Sequence, residues 1–532
     1  MRLGRAPKSL TGNDRVACRL AAALLAVAFA ALYAASSRGV FLYGDDILMF
    51  QVTEAIAERG EVGVTSPARR GDVARSIRGA DGGRYAKYGI GQSLVAVPFF
   101  LASRPLFDRW GLTETIDDFG NLRTGSAIFG TGLTNAATGG ATVAVTFLLA
   151  AEIGLPIVAA FATALALGLG TLLPHYASTF LSEPLSALCL AVAFLGVVKA
   201  GKEARTRESP VRLRGWLALS GVASGLAVAT KIAQLVVVAP LAVWVLVVAL
   251  REARRRAVAG DLLCWGLPFL GWIAAVGAYN RSRFGSFLET GYRGEASNFS
   301  TPLLEGLGGL LVSPAKGILW YCPLLLLSLF GARAFFRRQP ALALTVAASS
   351  LLHLVVMAKY YYWYAGDVWG TRFLIPLLPL WLLPAGESLA RWRIAGPAAK
   401  AAIAILVSAS LAIAAASVLV PFDGYPERQQ VGPGHRLENA WSLERSPLVH
   451  HLNRLPRATA ISLGKLYGRE PFAAPRAKPE WATTPDFAFS RYGSHALVEW
   501  TRGMLGVWAI AEAAAALGAR RAQKALLSRP PQ

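Results

Sequence analysis

Apolar runs long enough to cross a membrane alternate with short polar segments along most of the chain. A spanning helix needs about 20 apolar residues, and the runs predict twelve of them. We place these helices near residues 16–36, 124–149, 156–174, 184–199, 215–231, 232–250, 261–280, 317–332, 340–358, 373–388, 400–420 and 501–518. The segment 89–107 has only a short apolar core and contains Pro98, so it predicts an interfacial or re-entrant helix. The pattern indicates an all-α polytopic membrane protein with a long first outer loop, residues 37–123.

Composition and charge agree with this class. Hydrophobic residues make up 54% of the chain and its mean hydropathy is +0.43, more than a soluble core uses. The net charge of +22 comes from basic runs in the short loops, which the positive-inside bias places in the cytoplasm. We attribute the charge to membrane topology and expect no nucleic-acid partner. The four cysteines lack CxxC spacing, so neither a disulfide nor a zinc site is expected.

Loop polarity predicts which side of the membrane each segment faces. Placing the basic loops inside puts both termini in the cytoplasm and residues 37–123 and 422–500 outside. Long loops are translocated largely regardless of their charge, so the arginines of these two loops do not contradict this topology. We therefore look for a site on the outer face.

Two adjacent carboxylates, Asp45 and Asp46, follow the first apolar run in the segment YGDDILMF. When both ionise so close to lipid, each raises the pKa of the other, and a nearby cation, metal or substrate must offset the cost. Carboxylates in such a place are candidate proton acceptors. The alternative is that they cap a helix over residues 47–58, because Asp is favoured at N-caps and at the positive end of the helix dipole.

The segment RYAKYGIGQS, in the first outer loop, combines basic and aromatic side chains. Its candidate binding residues are Arg84, Tyr85, Lys87 and Tyr88. Such residues suit a phosphate group and a sugar ring. An ordinary anchor at the membrane interface would use the same residue types, so both interpretations remain open.

Three further candidates are isolated polar residues at the ends of predicted helices. His175 and Glu183 flank the outer segment HYASTFLSEP, where a structural role is the commoner one. Lys231 is a lone cation between two apolar helices. It needs a partner, which a lipid phosphate at the bilayer surface supplies, unless its side chain simply extends to the interface.

The segment YYYWYAGDVWGTRF is crowded with aromatic residues beyond what an interfacial belt requires. Its candidate site residues are Tyr364, Asp367 and Arg372. Arg372 can hold a phosphate through paired hydrogen bonds.

Several of these motifs, in this order, resemble a known family. YGDD, RYAKYGIGQSLVAVP, LSEP, YNRSRFGSFLETGY, LVSPAKGILWYCP and GDVWGTRFLIPLLP look like the bacterial polytopic glycosyltransferases of the GT-C superfamily. That group is similar to the protein O-mannosyltransferases and to the aminoarabinose transferases of lipid A. The resemblance implies a GT-C-like catalytic region over residues 1–390, followed by C-terminal transmembrane helices over 391–532 whose outer loop has no assigned role.

By this resemblance, the protein takes a sugar from a polyprenyl-phosphate donor and transfers it with inversion to a lipid, glycan or protein acceptor. The reaction takes place on the outer face of a bacterial inner membrane. Asp45 maps to the general base, whereas Asp46 falls where relatives often have Glu. Arg372 and Lys231 stabilise the departing lipid phosphate. No cofactor is implied, and the sugar, acceptor, carrier length, metal requirement and oligomeric state are left open.

Two other functions fit the twelve helices. A secondary transporter places its polar site at mid-membrane on broken helices in two related halves. Here the ionisable residues lie at one face, and the two halves show no repeat. A lipid-linked polysaccharide ligase or polymerase shares the outer face but does not need paired acids.

Overall fold

The computed structural model describes most of the chain. The described residues are 12–41, 43–64, 76–112, 115–116, 122–123, 125–206, 209–251, 255–422, 437–469, 487–492 and 494–527. Parts of the two predicted outer loops, residues 65–75, 423–436 and 470–486, lie outside the described residues.

Helices dominate the described chain. Its first half contains the helices α1 (Gly12–Ala35), α2 (Gly44–Arg59), α3 (Gly91–Phe107), α4 (Ser126–Glu152), α5 (Ile157–Leu169), α6 (Leu173–Ala177), α7 (Glu183–Thr206), α8 (Pro210–Thr230), α9 (Leu235–Arg251) and α10 (Arg255–Phe284). The second half adds the helices α11 (Leu303–Val312), α12 (Ile318–Tyr321), α13 (Leu326–Arg338), α14 (Pro340–Lys359), α15 (Leu378–Trp381), α16 (Leu383–Ala390), α17 (Pro397–Leu419), α18 (Pro447–Leu466), α19 (Ala488–Tyr492) and α20 (His495–Leu527).

The described strands form two small hairpins in the first outer loop. Strand β1 (Ile77–Arg78) pairs antiparallel with β2 (Arg84–Tyr85), with Ile77 opposite Tyr85. Strand β3 (Thr115–Ile116) pairs in the same way with β4 (Leu122–Arg123). Two-residue strands add little stability alone, so the first hairpin depends on the contacts described below.

Apolar helices of spanning length confirm the membrane class. Within the described residues, eight helices are long and apolar enough to cross a membrane, namely α1, α4, α7, α8, α9, α10, α14 and α17. The segments Arg372–Trp381 and Leu383–Ala390, bent by 45°, make a ninth when counted as one span. The all-helical polytopic fold is confirmed, while the total of twelve spans stays a prediction.

Three predicted spans take other forms. The run 156–174 becomes α5, only 13 residues long, followed by the short helix α6. The run 317–332 is interrupted by a 3-10 turn that begins at Pro323, because proline cannot continue the backbone hydrogen bonds of a helix. The run 501–518 lies within the 33-residue helix α20, which is not among the eight helices named above.

The helix ends next to the candidate residues meet at one end of the bundle. Just after α1, the carbonyl of Ser37 accepts a hydrogen bond of 2.9 Å from the Ala488 amide, shortly before α20 begins. The last residue of α14, Lys359, accepts one of 3.2 Å from Thr301, just before α11. These bonds join segments at this end of the bundle that are far apart in sequence.

Ion pairs hold the opposite end together. Lys199 and Lys202 of α7 both bind Glu152, the last residue of α4, at 2.8 and 2.6 Å. Arg214 near the start of α8 binds Asp261 near the start of α10 at 2.9 Å. The basic segment between α7 and α8 therefore lies at the end of the bundle opposite the candidate residues. Which end faces outward stays a prediction.

Candidate active site

Asp45 belongs to a cluster of polar side chains from five separate segments of the chain. Its Oδ1 accepts a hydrogen bond of 2.6 Å from the Tyr88 hydroxyl, and its Oδ2 accepts one of 2.9 Å from Nη1 of Arg372. The side chain remains 25% exposed. Asp45 is thus oriented by two donors and still open to solvent.

The structure does not support the capping alternative for Asp45. Helix α2 begins at Gly44, and its N-cap residue is Tyr43, whose side chain makes no capping hydrogen bond. Asp45 and Asp46 lie in the first turn, where the helix dipole favours a negative charge. The Asp45 oxygens bind Tyr88 and Arg372 instead, so the side chain serves the tertiary structure rather than the helix end.

Glu183 supplies a second carboxylate beside Asp45, on another helix. It is only 1% exposed, and its Oε1 accepts a hydrogen bond of 2.8 Å from the Lys231 ammonium. The same oxygen lies 3.9 Å from Nε of Arg372. Arg372 therefore lies between two carboxylates, and Glu183 lies between two cations.

The helix termini explain why these charges meet. Glu183 is the first residue of α7, and Lys231 directly follows α8 with an extended backbone that ends the helix. Arg372 begins the 3-10 helix Arg372–Leu377. The ammonium of Lys231 lies 4.6 Å from the ring centroid of Phe373, within the range of a cation–π contact.

Two glycines let the first outer loop approach Lys231 closely. A Cβ atom at Gly89 would lie 2.3 Å from the Ala229 carbonyl oxygen, and one at Gly91 would lie 2.3 Å from Oγ1 of Thr230. Real Cβ atoms do not come so near, so these positions accept only glycine without rearrangement. The GIG of RYAKYGIGQS thereby brings Tyr88 next to the end of α8.

A side-chain network under the cluster ties three elements together. Gln92 in α3 donates a hydrogen bond of 2.9 Å to Oδ1 of Asn135 in α4. Asn135 donates one of 2.7 Å to the Leu181 carbonyl, two residues before Glu183. Both amides are buried, and a buried network with fixed partners favours one arrangement of the backbone. The network thus sets the position of Glu183 relative to the loop that carries Tyr88.

The two adjacent aspartates differ in electrostatics. For Asp45, burial raises the pKa, but the guanidinium of Arg372 and the hydrogen bond from Tyr88 outweigh it and lower the pKa below its usual value. For Asp46, burial and the neighbouring charge of Asp45 raise the pKa well above the usual value. Two neighbouring carboxyls with opposite shifts are typical of an acid and base pair. Of the two carboxyls, Asp45 is the one that stays ionised to lower pH.

The other candidates in RYAKYGIGQS lie beside the cluster rather than in it. Lys87 forms an ion pair with Glu295 at 2.7 Å. Tyr85 donates a hydrogen bond of 2.6 Å to Asp81, and Arg84 is exposed on strand β2. Of the four, only Tyr88 binds Asp45 directly.

His175 and the aromatic candidates lie further along the same face. His175 is fully buried, with Nδ1 2.8 Å from the Ser417 carbonyl oxygen, and its ring stacks on Trp369. Tyr364 is buried against Tyr362 and Trp363, and Asp367 is exposed. The structure therefore joins Asp45, Tyr88, Glu183, Lys231 and Arg372, with Asp46 adjacent, and leaves the remaining candidates outside this cluster.

Two residues near the site had no predicted role. Lys316 is buried, and its ammonium donates hydrogen bonds of 2.7 Å to the carbonyls of Gly366 and Val368, which anchors the loop before Arg372. The Lys87 ammonium lies 5.3 Å from the ring centroid of Tyr292. Burial, and then the charge of Asp45, raises the pKa of Tyr292. Both residues belong to segments that carry the family resemblance, but no sequence pattern assigned either of them a function.

The arrangement suits a reaction that moves a proton and stabilises a departing anion. Asp45 can accept a proton, while Lys231 and Arg372 offer positive charge within the same cluster. Among the described residues, no group of three or more His, Cys, Asp or Glu side chains is arranged to hold a metal ion.

Comparison with known proteins adds independent findings. The family model of the dolichyl-phosphate-mannose-protein mannosyltransferases matches residues 96–266. The crystal structure of ArnT from Cupriavidus metallidurans bound to undecaprenyl phosphate is similar over 96% of this chain and 77% of that chain, with a TM-score of 0.50 and 17% identity. The chain has the GT-C fold. No curated protein matches its sequence.

A second, weaker likeness involves the archaeal oligosaccharyltransferase AglB from Archaeoglobus fulgidus, in complex with an inhibitory peptide and a dolichol-phosphate. It covers 76% of this chain and 56% of that chain, with a TM-score of 0.46 and 10% identity.

The family match covers only part of the candidate site. The matched segment, residues 96–266, contains Glu183 and Lys231, whereas Asp45 and Arg372 lie outside it.

Proposed function

We propose that the protein is an inverting glycosyltransferase that moves a sugar from a polyprenyl-phosphate donor to a cell-envelope acceptor. The reaction takes place on the outer face of a bacterial inner membrane. The GT-C fold supports the glycosyltransferase class. The undecaprenyl phosphate bound to ArnT supports a lipid phosphate as the carrier.

In the proposed reaction, Asp45 acts as the general base. An acceptor hydroxyl oxygen forms a bond to the anomeric carbon of the sugar and loses its proton to Asp45. The bond from that carbon to the donor phosphate oxygen breaks, and its electron pair stays on the phosphate. Attack from the face opposite the leaving group inverts the anomeric centre.

Arg372 and Lys231 take the charge that develops on the phosphate. Both cations already neutralise carboxylates, Arg372 with Asp45 and Lys231 with Glu183. Donors held in advance at the place where charge develops cost no reorganisation during the reaction, which is how such sites lower a barrier. A lipid phosphate arriving from the bilayer would meet two cations at the ends of membrane helices.

The observation that carries this proposal is the contact between Asp45 and Arg372. It joins an acid in the first outer loop to a cation 327 residues further along the chain. Arg372 and Tyr88 lower the pKa of Asp45 and so keep it ionised, and its exposed edge lets it meet an external hydroxyl. A transporter does not need an ionised acid beside a phosphate-binding cation at one face.

A donor panel tests the proposal. Purified protein in lipid nanodiscs is incubated with radiolabelled polyprenyl-phosphate sugars and with extracted envelope lipids as acceptors. We expect transfer of label to an acceptor with release of polyprenyl phosphate. Arg372→Ala should lower the use of donor more than the use of acceptor, because the phosphate loses a ligand.

Arg338→Ala is the matched control, because Arg338 also binds a carboxylate, that of the buried Glu387, at 2.6 Å at the opposite end of the bundle. Arg372→Ala leaves the partly buried Asp45 short of a cation and Arg338→Ala leaves Glu387 short of one, so both variants should lose some stability. Only Arg372→Ala should raise the KM for donor. Equal donor kinetics in the two variants, or movement of solute across the membrane without transfer, would contradict the proposal.

A further inference from the structure

We propose that Arg283 and Glu295 are positioning residues that hold Tyr88 against Asp45. The inference rests on the proposed function, since it concerns how the base is oriented. Both residues belong to the segment that ends α10 and follows it, far in sequence from the first outer loop. Neither contacts Asp45 directly.

Arg283 is a buried cation bound by carbonyl oxygens and aromatic rings. It is only 2% exposed. Its Nη1 donates to the Ala86 carbonyl, and its Nη2 donates a hydrogen bond of 2.8 Å to Oδ1 of Asn280. The guanidinium lies 3.6 Å from the ring centroid of Tyr279. Because these contacts hold the planar guanidinium of Arg283 in one orientation, it determines the position of the Ala86 carbonyl.

Glu295 fixes the next residue of the same loop. Its two carboxylate oxygens accept hydrogen bonds of 2.9 and 2.7 Å from the Lys87 ammonium. Lys87 also lies over the ring of Tyr292. Two consecutive residues, Ala86 and Lys87, are therefore held by two different side chains of the α10 end and the segment after it.

The first hairpin is bound to the same segment. The Ala80 amide donates a hydrogen bond of 3.0 Å to the Arg283 carbonyl, and Nη2 of Arg293 donates one of 2.9 Å to the Arg78 carbonyl. Because two-residue strands are weak on their own, these contacts determine where the hairpin lies. Tyr88 directly follows the anchored residues, so its hydroxyl reaches Asp45 from a fixed position.

This geometry predicts how the base responds to a loosened loop. The Tyr88 hydroxyl stabilises the charged form of Asp45, so losing that hydrogen bond raises the pKa of Asp45. The acidic limb of the rate profile should then move to higher pH. Among the described residues, the other charged or titratable groups around Asp45 are Asp46, Glu183, Lys231, Tyr292, Tyr362 and Arg372. None of them changes in the variants below.

A double-mutant cycle measures the coupling. Arg283→Lys keeps the charge and removes the fork, and Tyr88→Phe removes the hydroxyl. A small misplacement of a catalytic group costs up to ~100-fold in rate, so we expect Arg283→Lys to lower kcat on the order of 10- to 100-fold. The double variant should be no slower than the slower single variant, because both changes remove the same contact. In all three variants the acidic limb should move to higher pH.

Arg281→Lys is the control. Arg281 lies in the same helix turn as Arg283, but its side chain is exposed and lies over the ring of Phe287. We expect its rate and pH profile to match the unmodified protein. Glu295→Gln provides a second variant at a partly exposed residue, which tests the proposal even if Arg283→Lys does not fold. It should move the acidic limb in the same direction.

Amide hydrogen exchange tests the same contacts without an activity assay. Arg283→Lys and Glu295→Gln should speed amide exchange in residues 84–90 and leave the opposite end of the bundle unchanged. Fully additive effects in the cycle, or unchanged exchange in both variants, would overturn the positioning role. Absence of sugar transfer by the unmodified protein would count against the proposed function instead, and exchange would still decide the positioning role.

Discussion

Asp45→Asn separates the general base from a merely structural acid. The substitution keeps the size and shape of the side chain and removes its charge and its ability to take a proton. If Asp45 is the base, turnover should fall about 100- to 10,000-fold. At 1.36 kcal/mol per factor of ten, this is roughly 3–5 kcal/mol of transition-state free energy.

The structural cost of the same change is smaller. Asp45 gives up a charged hydrogen bond to Arg372, which is typically worth about 1.5–3 kcal/mol. Its 25% exposure reduces this value, since solvent screens the pair. The Asn carbonyl still accepts from one donor, and the Tyr88 hydroxyl can accept from the Asn amide. We therefore expect a folded protein with a slightly lower melting temperature and a KM for donor no higher than before.

Asp81→Asn is the matched control for Asp45→Asn. Asp81 lies in the same outer loop and also accepts a hydrogen bond of 2.6 Å from a tyrosine, Tyr85, but it lies outside the cluster. Transfer rates and thermal melts of both variants in nanodiscs provide the comparison. Near-normal turnover by a folded Asp45→Asn protein, or an equal loss in Asp81→Asn, would refute the reasoning and direct attention to Glu183.

Three further predictions concern topology, stability and the loop before Arg372. A cysteine introduced at exposed Ser300 should react with an impermeant maleimide from the outer side, and one at Thr206 only after permeabilisation, because the positive-inside bias predicts that the basic loops lie inside; the reverse pattern would contradict the predicted topology. Lowering the pH from about 7 to about 5 should lower the melting temperature less in His451→Gln than in the unmodified protein. Burial lowers the pKa of His451 to about 3, so below about pH 6.5 the unfolded chain binds a proton that the folded chain does not. The control is His495→Gln, at an exposed histidine, which should melt like the unmodified protein at both pH values. An equal change in the pH dependence of melting in both variants would contradict the role of His451. Lys316→Met should slow transfer and lower the melting temperature, because two buried carbonyls lose their donor at a cost of about 1–3 kcal/mol each; unchanged turnover and melting would show that the loop does not depend on this lysine.

The apolar pattern alone determined the class of protein and the approximate positions of the eight helices of spanning length in the described chain. Long runs such as 124–149 and 340–358 became α4 and α14 with nearly the predicted bounds. The reason is that lipid leaves the backbone no partner but itself, so an apolar run of this length must be helical. Where proline interrupts such a run, as at Pro323, the pattern still indicates membrane but not the shape of the chain.

Sequence also identified most of the charged residues of the candidate site. Asp45, Glu183, Lys231 and Arg372 were recognisable because each is an ionisable residue at the edge of an apolar run, where it needs a partner. Sequence could not say which of them pair. Asp45 had a plausible local role as a helix cap, and only the folded chain shows its oxygens bound by Tyr88 and Arg372.

Tertiary structure alone decided the supporting contacts. Arg283 and Lys316 bind backbone carbonyls, which every residue carries, so no side-chain pattern marks their partners. Lys87 and Glu295 are 208 residues apart, and their meeting depends on how α10 packs against α8. Local sequence thus determined where most of the long apolar helices lie and which residues are charged. The packing of helix ends determined which charges meet, because that depends on distances set by the whole bundle.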